Sequence, residues 1–323
     1  MKILYTLSIS LIILLTLSGC GGEQNNENDA KAKKIKIVLN WFPEAEHGGY
    51  YEALVNKGYE KENLDVEILS GGPNVPVLQQ VIMNRVDYAV VNADDVLNAV
   101  EGGADLVTIY APLQTNPRCI MVHAESNIKQ ISEIKNMKLA MSSRPSFRHW
   151  LVAKYKFENV HIVPYPPNIS VFLKDKNFAQ QAYNIAEPCT ARMNGANPRV
   201  LMVSDLGFNP YSSVLVTTRK RFNENPEQIA AIVRASIKGW SDYVAAPEKC
   251  NAYIHTLNPE MPMEILKFGA GELKKMIVPL EKNVPANGMI YERWQKLAEQ
   301  MKEAKLVDLN EKKIRSAFHS GKG

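Results

Sequence analysis

The chain has 323 residues, 46% of them hydrophobic and 22% charged, with a formal net charge of +4. That composition can bury a substantial core, and the length suggests two domains or lobes. The charge is mild and no lysine-arginine block stands out, so nothing argues for a nucleic-acid partner. The cysteines are Cys20, Cys119, Cys189 and Cys250. Apart from Cys20 they are widely spaced and odd in number, so at most one disulfide forms among them. No CxxC or HxxxH spacing marks a metal site, and no internal repeat at solenoid period is present.

Met1 to Leu17 pairs a basic start at Lys2 with the apolar run LYTLSISLIILLTL. This is signal-peptide length, short for a membrane span. Leu17-Ser18-Gly19-Cys20 follows and resembles a lipobox, the bacterial lipoprotein processing signal. The resemblance implies a lipoprotein signal peptide over 1–19, cleavage before Cys20 and diacylglycerol on its sulfur. A plain signal peptide with a chance cysteine is the alternative. From Gly21 to Lys34 no apolar residue is larger than Ala32, so residues 20–34 are expected to form a lipidated cysteine and a flexible tether. The mature protein is then expected outside the cytoplasm, held to a bacterial membrane through Cys20.

A strand is expected over 35–39, followed by the stretch LNWFPEAEHGGYYE from Leu39 to Glu52. Pro43 forces its predecessor out of helical geometry, and Gly48-Gly49 let backbone approach something closely. A helix is expected from about Gly49 to Asn56, stopping at Gly58. Trp41, Phe42, Tyr50 and Tyr51 gather with Asn40, Glu44, Glu46 and His47 just past a strand's carboxyl end. Those are the parts of a small-molecule pocket in an open α/β sheet. A tryptophan buried under a turn is the plainer alternative. Strand 64–69 ends at Ser70-Gly71-Gly72-Pro73, and Val77, Leu78, Val81 and Ile82 fall at helical spacing behind Pro76. A Gly-Gly turn feeding a helix start offers free amides to an anionic or carbonyl group. Strand 86–91 (VDYAVV) is apolar enough to be buried and parallel. Asn92, Asp94 or Asp95 then caps a helix carrying Val96, Leu97 and Val100, closed by Gly102-Gly103. A fourth strand, 106–110, leads through the polar segment Gln114-Thr115-Asn116-Pro117 to strand 119–123, where the chain leaves one lobe for another.

The second lobe repeats the alternation. It has a helix near Ile131, a strand over 138–141, the turn Ser142-Ser143-Arg144-Pro145, and a helix with Phe147, Trp150, Leu151 and Tyr155. Strand 161–164, a short helix over 169–173 and strand 182–186 follow. The last ends at Glu187-Pro188-Cys189, read as a turn carrying a carboxylate, although a solvated surface glutamate is the plainer role. Strands 200–203 and 213–217 close the lobe around Asn209-Pro210-Tyr211. From Asn225 helices are expected over 226–245, 247–255, 263–276 and 291–304, with no comparable strands. Ile229, Ile232, Val233, Ile237, Trp240 and Tyr243 form the stripe of the first. Trp240 and Trp294 are expected in the core, and the tail is expected to pack on the first lobe.

The run LNWFPEAEHGGYYEALVNKGYEKENLDVEILSGG resembles the opening of periplasmic substrate-binding proteins of ABC importers. The branch it resembles is related to thiamine-pyrimidine synthesis and to nitrate, taurine and alkanesulfonate uptake. VDYAVVNADDVL, YAPLQTNPRCIMVH, AEPCTARMNG and SDLGFNPYSSVLVTT resemble later blocks, so the likeness covers nearly the whole mature chain. It implies an α/β, type II periplasmic binding protein fold: two α/β lobes joined by two crossing strands, closing on a ligand between them. Lobe 1 is then expected over 35–115 and 217–323, lobe 2 over 116–216, and the hinge near 110–120 and 211–218. The implied partners are a small-molecule ligand and the importer's permease; a monomer without cofactor or metal is expected.

Carried over residue by residue, the family's first-lobe contacts fall on Asn40, Trp41, Glu44 or His47, with Tyr50 beside them, on Gly71 and Gly72, and on Asn92 to Asp94. From the crossing and second lobe they fall on Gln114 and Asn116, on Ser142 to Arg144, on Glu187 and on Tyr211. The resemblance implies that Trp41 stacks on a flat ligand or packs against an alkyl one. Glu187 and Asp94 would accept from ring N–H or amino groups, whereas Arg144 would hold a carboxylate, sulfonate or phosphate. A pyrimidine synthase with the same fold and LNWxP opening is the rival from another class. Its lysine and histidine positions fall on Val91 and Asp95, and no cysteine run precedes SSVLVTT, so binding without catalysis is expected. Sulfonate and nitrate sites need several converging donors. The carboxylates and aromatics near Trp41, Tyr50 and Tyr51 favour instead a nitrogen heterocycle such as a thiamine-pyrimidine precursor.

Overall fold

The computed structural model describes residues 34–73, 75–279 and 282–321. The signal-peptide, tether and Cys20 expectations lie outside the described residues. The chain first alternates strand and helix: β1 (Ile35–Val38), α1 (Gly48–Val55), α2 (Gly58–Lys61), β2 (Val66–Leu69), α3 (Val77–Ile82), β3 (Tyr88–Val91), α4 (Ala93–Glu101) and β4 (Leu106–Tyr110). A second set follows: β5 (Arg118–His123), β6 (Met137–Ala140), α5 (Ser146–Lys154), β7 (Val160–Val163), α6 (Ser170–Lys174), β8 (Phe178–Tyr183), α7 (Glu187–Met193) and β9 (Pro198–Met202). After β10 (Val214–Thr218) the chain is helical, through α8 (Arg219–Glu224), α9 (Pro226–Ala245), α10 (Glu248–Leu257), α11 (Met263–Met276), α12 (Tyr291–Glu303) and α13 (Glu311–Ser316).

Two five-stranded sheets result, ordered β2-β1-β3-β10-β4 and β7-β6-β8-β5-β9. β10 runs antiparallel to β3 and β4, and β5 runs antiparallel to β8 and β9, while the other neighbours are parallel. Each antiparallel strand is the one that arrives from the other sheet. Of the parallel strands, β3 is the one whose four residues are all buried, as two covered faces require. The two links between sheets are 111–117 and 203–213, and they pair with each other at Leu113 and Ser212. The return to the first sheet begins at Val214, opposite Val91, ahead of the lobe boundary expected at 217.

The helical tail packs mainly on the first lobe. α9 lies on α1 at a separation that glycines set: a Cβ on Gly239 would stand 2.2 Å from the Gly49 carbonyl, and one on Gly49 would stand 2.2 Å from the Trp240 ring. Gly48 and Gly49 therefore admit Tyr243 and Trp240, not a ligand. Trp240 is 1% exposed and lies edge-on to Tyr50 and Tyr243, at 5.8 and 6.2 Å. α12 reaches both lobes, touching α4 and α5. Its Trp294 is fully buried and stacks on Phe318 at 5.3 Å. Both tryptophans are core, as their helical spacing predicts.

Candidate ligand-binding cleft

The two links between sheets are held by side chains. Gln114 donates to the carbonyls of Ala111 (2.8 Å) and Gly288 (2.9 Å) and accepts from Arg293 at 3.1 Å. Asn116 donates to the Pro210 carbonyl at 3.1 Å, and its amide N–H goes to the Asn209 side chain at 2.8 Å. Backbone in a link cannot satisfy itself through a sheet ladder, so these amides do it. Tyr211 is 2% exposed; it accepts from the Ile290 amide at 3.1 Å and lies beneath the Arg293 guanidinium at 3.9 Å. Tyr50 is enclosed in the helical core and donates to the Ser213 carbonyl at 2.6 Å. Gln114, Asn116, Tyr211 and Tyr50, expected at the ligand, are thus engaged in the links between the sheets and in the core in this structure.

Past the end of β1 the chain turns through Asn40, Trp41 and Glu44 into a short 3-10 turn, Ala45–His47. Here Glu44, Glu46 and His47 are all buried. His47 Nε2 lies 2.8 Å from Asn40 Oδ1 and 3.0 Å from Glu46 Oε1. Across the gap, Glu187 heads α7, with Pro188 at the position where a missing N–H costs nothing. It begins a helix there, not the turn expected. Its carboxylate accepts from the Tyr165 hydroxyl and from the Tyr183 amide, each at 2.8 Å. The groups sense one another: burial, then Glu46 and Glu187, push the Glu44 carboxyl well above its ordinary value. Burial also raises Glu187, against its two donors. Three carboxylates thus approach one another from both lobes.

Beside them lies a second cluster around Arg118, the first residue of β5. Its guanidinium donates to the Tyr183 hydroxyl at 3.2 Å and lies 4.6 Å from the centre of the Phe147 ring. Asn92 spans the gap as well, donating to Tyr183 at 3.4 Å and accepting from Ser212 at 2.6 Å. Asn92 is also the N-cap of α4, in a capping box with Asp95, whose carboxylate accepts from the Asn92 amide at 3.3 Å. Burial and the neighbouring Asp94 push Asp95 up to about 7, although Arg118 draws it down. Burial works against the Arg118 charge, but Tyr183, Asp94 and Asp95 more than offset that. Tyr183 itself is pushed up to about 12, by burial first, against the pull of Arg118.

The remaining expected contacts sit at the mouth. Arg144 is exposed and donates to the Pro73 carbonyl at 2.8 Å, joining a loop of each lobe. The Ser142 amide is taken by Gln181 at 2.7 Å. Gly71 is not a free donor: its amide goes to the Trp41 carbonyl at 3.0 Å, and a Cβ would stand 2.0 Å from the Leu39 carbonyl. Gly72 faces the Phe42 ring, which lies edge-on to half-buried Trp41 at 5.5 Å. Asn40, Glu44, His47 and Glu187 are therefore brought together, with Asn92 and Asp94 in the adjoining Arg118 cluster, while Trp41 packs on Phe42 beside Gly71. Arg118, Tyr165 and Tyr183 join them without having been singled out from sequence, and Glu46 was noticed there only as part of the aromatic stretch. The signal for Arg118 and Tyr183 was their place at strand ends facing the links.

Chemically, the cleft offers buried acceptors in excess over cations, with aromatic walls. Among the described residues no group of three or more His, Cys, Asp and Glu side chains could hold a metal ion.

Comparison with known proteins agrees with this architecture. The model of the family described as NMT1/THI5 like matches residues 44–250. A formylaminopyrimidine-binding protein of Halalkalibacterium halodurans is 23% identical over 300 residues, spanning 89% of this chain and 90% of its own. The riboflavin-binding protein RibY of Chloroflexus aurantiacus is 21% identical over 269 residues, 76% of each chain. Among solved structures, the periplasmic aliphatic sulphonate binding protein SsuA of Escherichia coli superposes with a TM-score of 0.68 at 16% identity, covering 88% of this chain and 91% of its own. All three are binding proteins, and the shared fold is that of periplasmic binding proteins, two α/β lobes about a cleft. The chain belongs to the NMT1/THI5-like family, as one of its substrate-binding proteins.

Proposed function

We propose that this protein captures a nitrogen heterocycle of the aminopyrimidine class between its lobes and hands it to the permease of an ABC importer. The observation that carries the reading is the meeting of Glu44, Glu46 and Glu187 across the gap. An aminopyrimidine brings N–H donors to such acceptors and a flat face to Trp41. A sulfonate or nitrate brings only acceptors, and would have to enter among five carboxyl groups, with Asp94 and Asp95 already facing Arg118. The name of the relative from H. halodurans supports the same ligand class. Catalysis has no support in the residues: Val91 and Asp95 stand where the pyrimidine synthases carry lysine and histidine.

Isothermal titration with 4-amino-2-methylpyrimidine, ethanesulfonate and nitrate tests the ligand class. The pyrimidine should bind with a dissociation constant of about 1 μM or below, near −8 kcal/mol, and the anions should not. Sulfonate binding with no response to the pyrimidine would reverse the assignment. The address is part of the proposal and rests on Cys20. Fatty-acid labelling of the full chain should be lost in Cys20→Ser; persistence of the label would remove the lipid anchor and leave the binding reading intact.

A further inference from the structure

Glycine inside an α-helix costs stability relative to alanine, so a helical glycine calls for a reason. α11 holds two, Gly269 and Gly271, and they differ in what surrounds them. A Cβ on Gly271 would meet nothing within 4 Å. One on Gly269 would stand 2.8 Å from the Ala45 Cβ and 2.9 Å from the Ile185 carbonyl oxygen, closer than packed atoms approach. The first neighbour belongs to the 3-10 turn of the first lobe, between Glu44 and Glu46. The second belongs to the second lobe, two residues ahead of Glu187, where α7 starts. A single glycine thus touches both segments that carry the facing carboxylates.

The rest of α11 bears on the same junction. Ile185 follows β8 of the second sheet, yet it is 1% exposed and buried in the apolar cluster of the first lobe, with Ala45, Leu266 and Ala270. Ile265 and Leu266 line a small hollow shared with Glu44 and Ile185. The guanidinium of Arg192, on α7, lies 5.7 Å from the centre of the Phe268 ring. At the far end of α11 the Met276 carbonyl accepts from the Gln114 and Thr115 amides, at 2.7 and 3.0 Å, so the helix also grips the first link. On its other side it packs on α9 and α10. Close-packed contacts of this kind transmit a displacement instead of absorbing it.

We propose that Gly269 is a positioning residue of the cleft, seating the Ala45 turn of one lobe and the Ile185 segment of the other at the spacing the ligand requires. It touches no ligand itself and acts through Glu44 and Glu46 on one side and through Glu187 on the other. The proposal rests on the reading of those carboxylates as the ligand's acceptors, and adds what fixes their separation. The donors of a flat, rigid ligand have a fixed spacing, so a cleft widened at this seam satisfies one side at the expense of the other.

Gly269→Ala and Gly271→Ala make the same chemical change on one helix. In 15N–1H NMR of the ligand-free protein, Gly269→Ala should move the amide signals of residues 45–47 and of residues 185–187 together, and Gly271→Ala should move neither set. In titration calorimetry with 4-amino-2-methylpyrimidine, Gly269→Ala should weaken binding at least about tenfold, and Gly271→Ala should leave it unchanged. Adding Ala45→Gly to Gly269→Ala relieves the contact inside the first lobe and leaves the one to the Ile185 carbonyl. The double variant should therefore recover thermal stability but not affinity, and it serves the same comparison should the single variant not fold. Signals of 185–187 that stay in place in Gly269→Ala, or affinity fully restored in the double variant, would overturn the proposal. If the wild-type protein gives no binding heat at about 1 mM pyrimidine, the heterocycle reading falls, and the amide signals alone decide the role of Gly269.

Discussion

Replacing Trp41 by alanine separates a cleft wall from a core residue. Trp41 is half-buried and lies edge-on to Phe42, with 67° between the ring planes. Its tie to the Gly71 amide runs through the Trp41 carbonyl, so truncating the side chain leaves that turn connected. The stacked ligand face would lose about 0.5–1.5 kcal/mol of ring-on-ring attraction. A covered indole area of roughly 60 Å² at about 25 cal/mol per Å² adds about 1.5 kcal/mol. Together these come to roughly 2–3 kcal/mol, a weakening of about 30- to 150-fold. Folding should lose far less than from Trp240→Ala, where a fully buried indole between Tyr50 and Tyr243 is removed, at a cost of about 3–5 kcal/mol. Calorimetric titration and a urea melt on each variant give both numbers. If Trp41→Ala loses as much stability as Trp240→Ala and its folded fraction binds normally, Trp41 is a core residue and the cleft lies elsewhere.

Three further outcomes follow from the contacts. Asp95 keeps its proton in the folded state up to about 7, against an ordinary 3.8, so its contribution to stability falls as pH rises between those values. Asp95→Asn keeps an acceptor for the Asn92 amide; denaturant melts should find it level with wild type near pH 4 and more stable at pH 8, and equal stability at pH 8 would refute this. Gln114→Ala should cost about 2–4 kcal/mol by leaving several buried groups of the links unpaired; a urea midpoint unchanged from wild type would show that the links do not need it. Arg144→Ala removes the bond to Pro73 that joins the two lobes at the mouth, and should raise the radius of gyration of the ligand-free protein in solution scattering, with little change in its melt. An unchanged radius would mean that other contacts hold the mouth.

The alternation of apolar strand and amphipathic helix was legible because it is local: β4, α9 and α11 begin and end where pattern and punctuation put them. Gly48-Gly49 announced a close approach without naming the partner, which turned out to be a helix nearly two hundred positions later in the chain. Gln114 and Asn116 show the same gap from the other side. A polar segment ending in proline looks like a ligand loop, but a link that leaves a sheet has its own backbone groups to satisfy, and that demand took both amides. Glu187-Pro188 did carry a readable signal, since proline at the start of a helix is favoured where it would break a strand. Glu46 was in view beside Glu44 and His47, and only the packing of a short 3-10 turn shows that all three lose their solvent.

Charge is where the local and the assembled descriptions part most sharply. The chain as a whole carries +4, and an anion would be the natural guess for its ligand. Yet among the described residues many lysines and arginines lie outward, some in pairs such as Lys238 with Asp242 and Arg234 with Glu62, where water screens them. Glu44 with Glu46, Asp94 and Glu187 come from three segments far apart in sequence, and folding removes them together from that screening. Carboxylates that water would make nearly indifferent to one another then act on a common space. The sign of the cleft is therefore a product of topology, opposite to the sign of the chain, and it is the cleft's sign that a ligand meets.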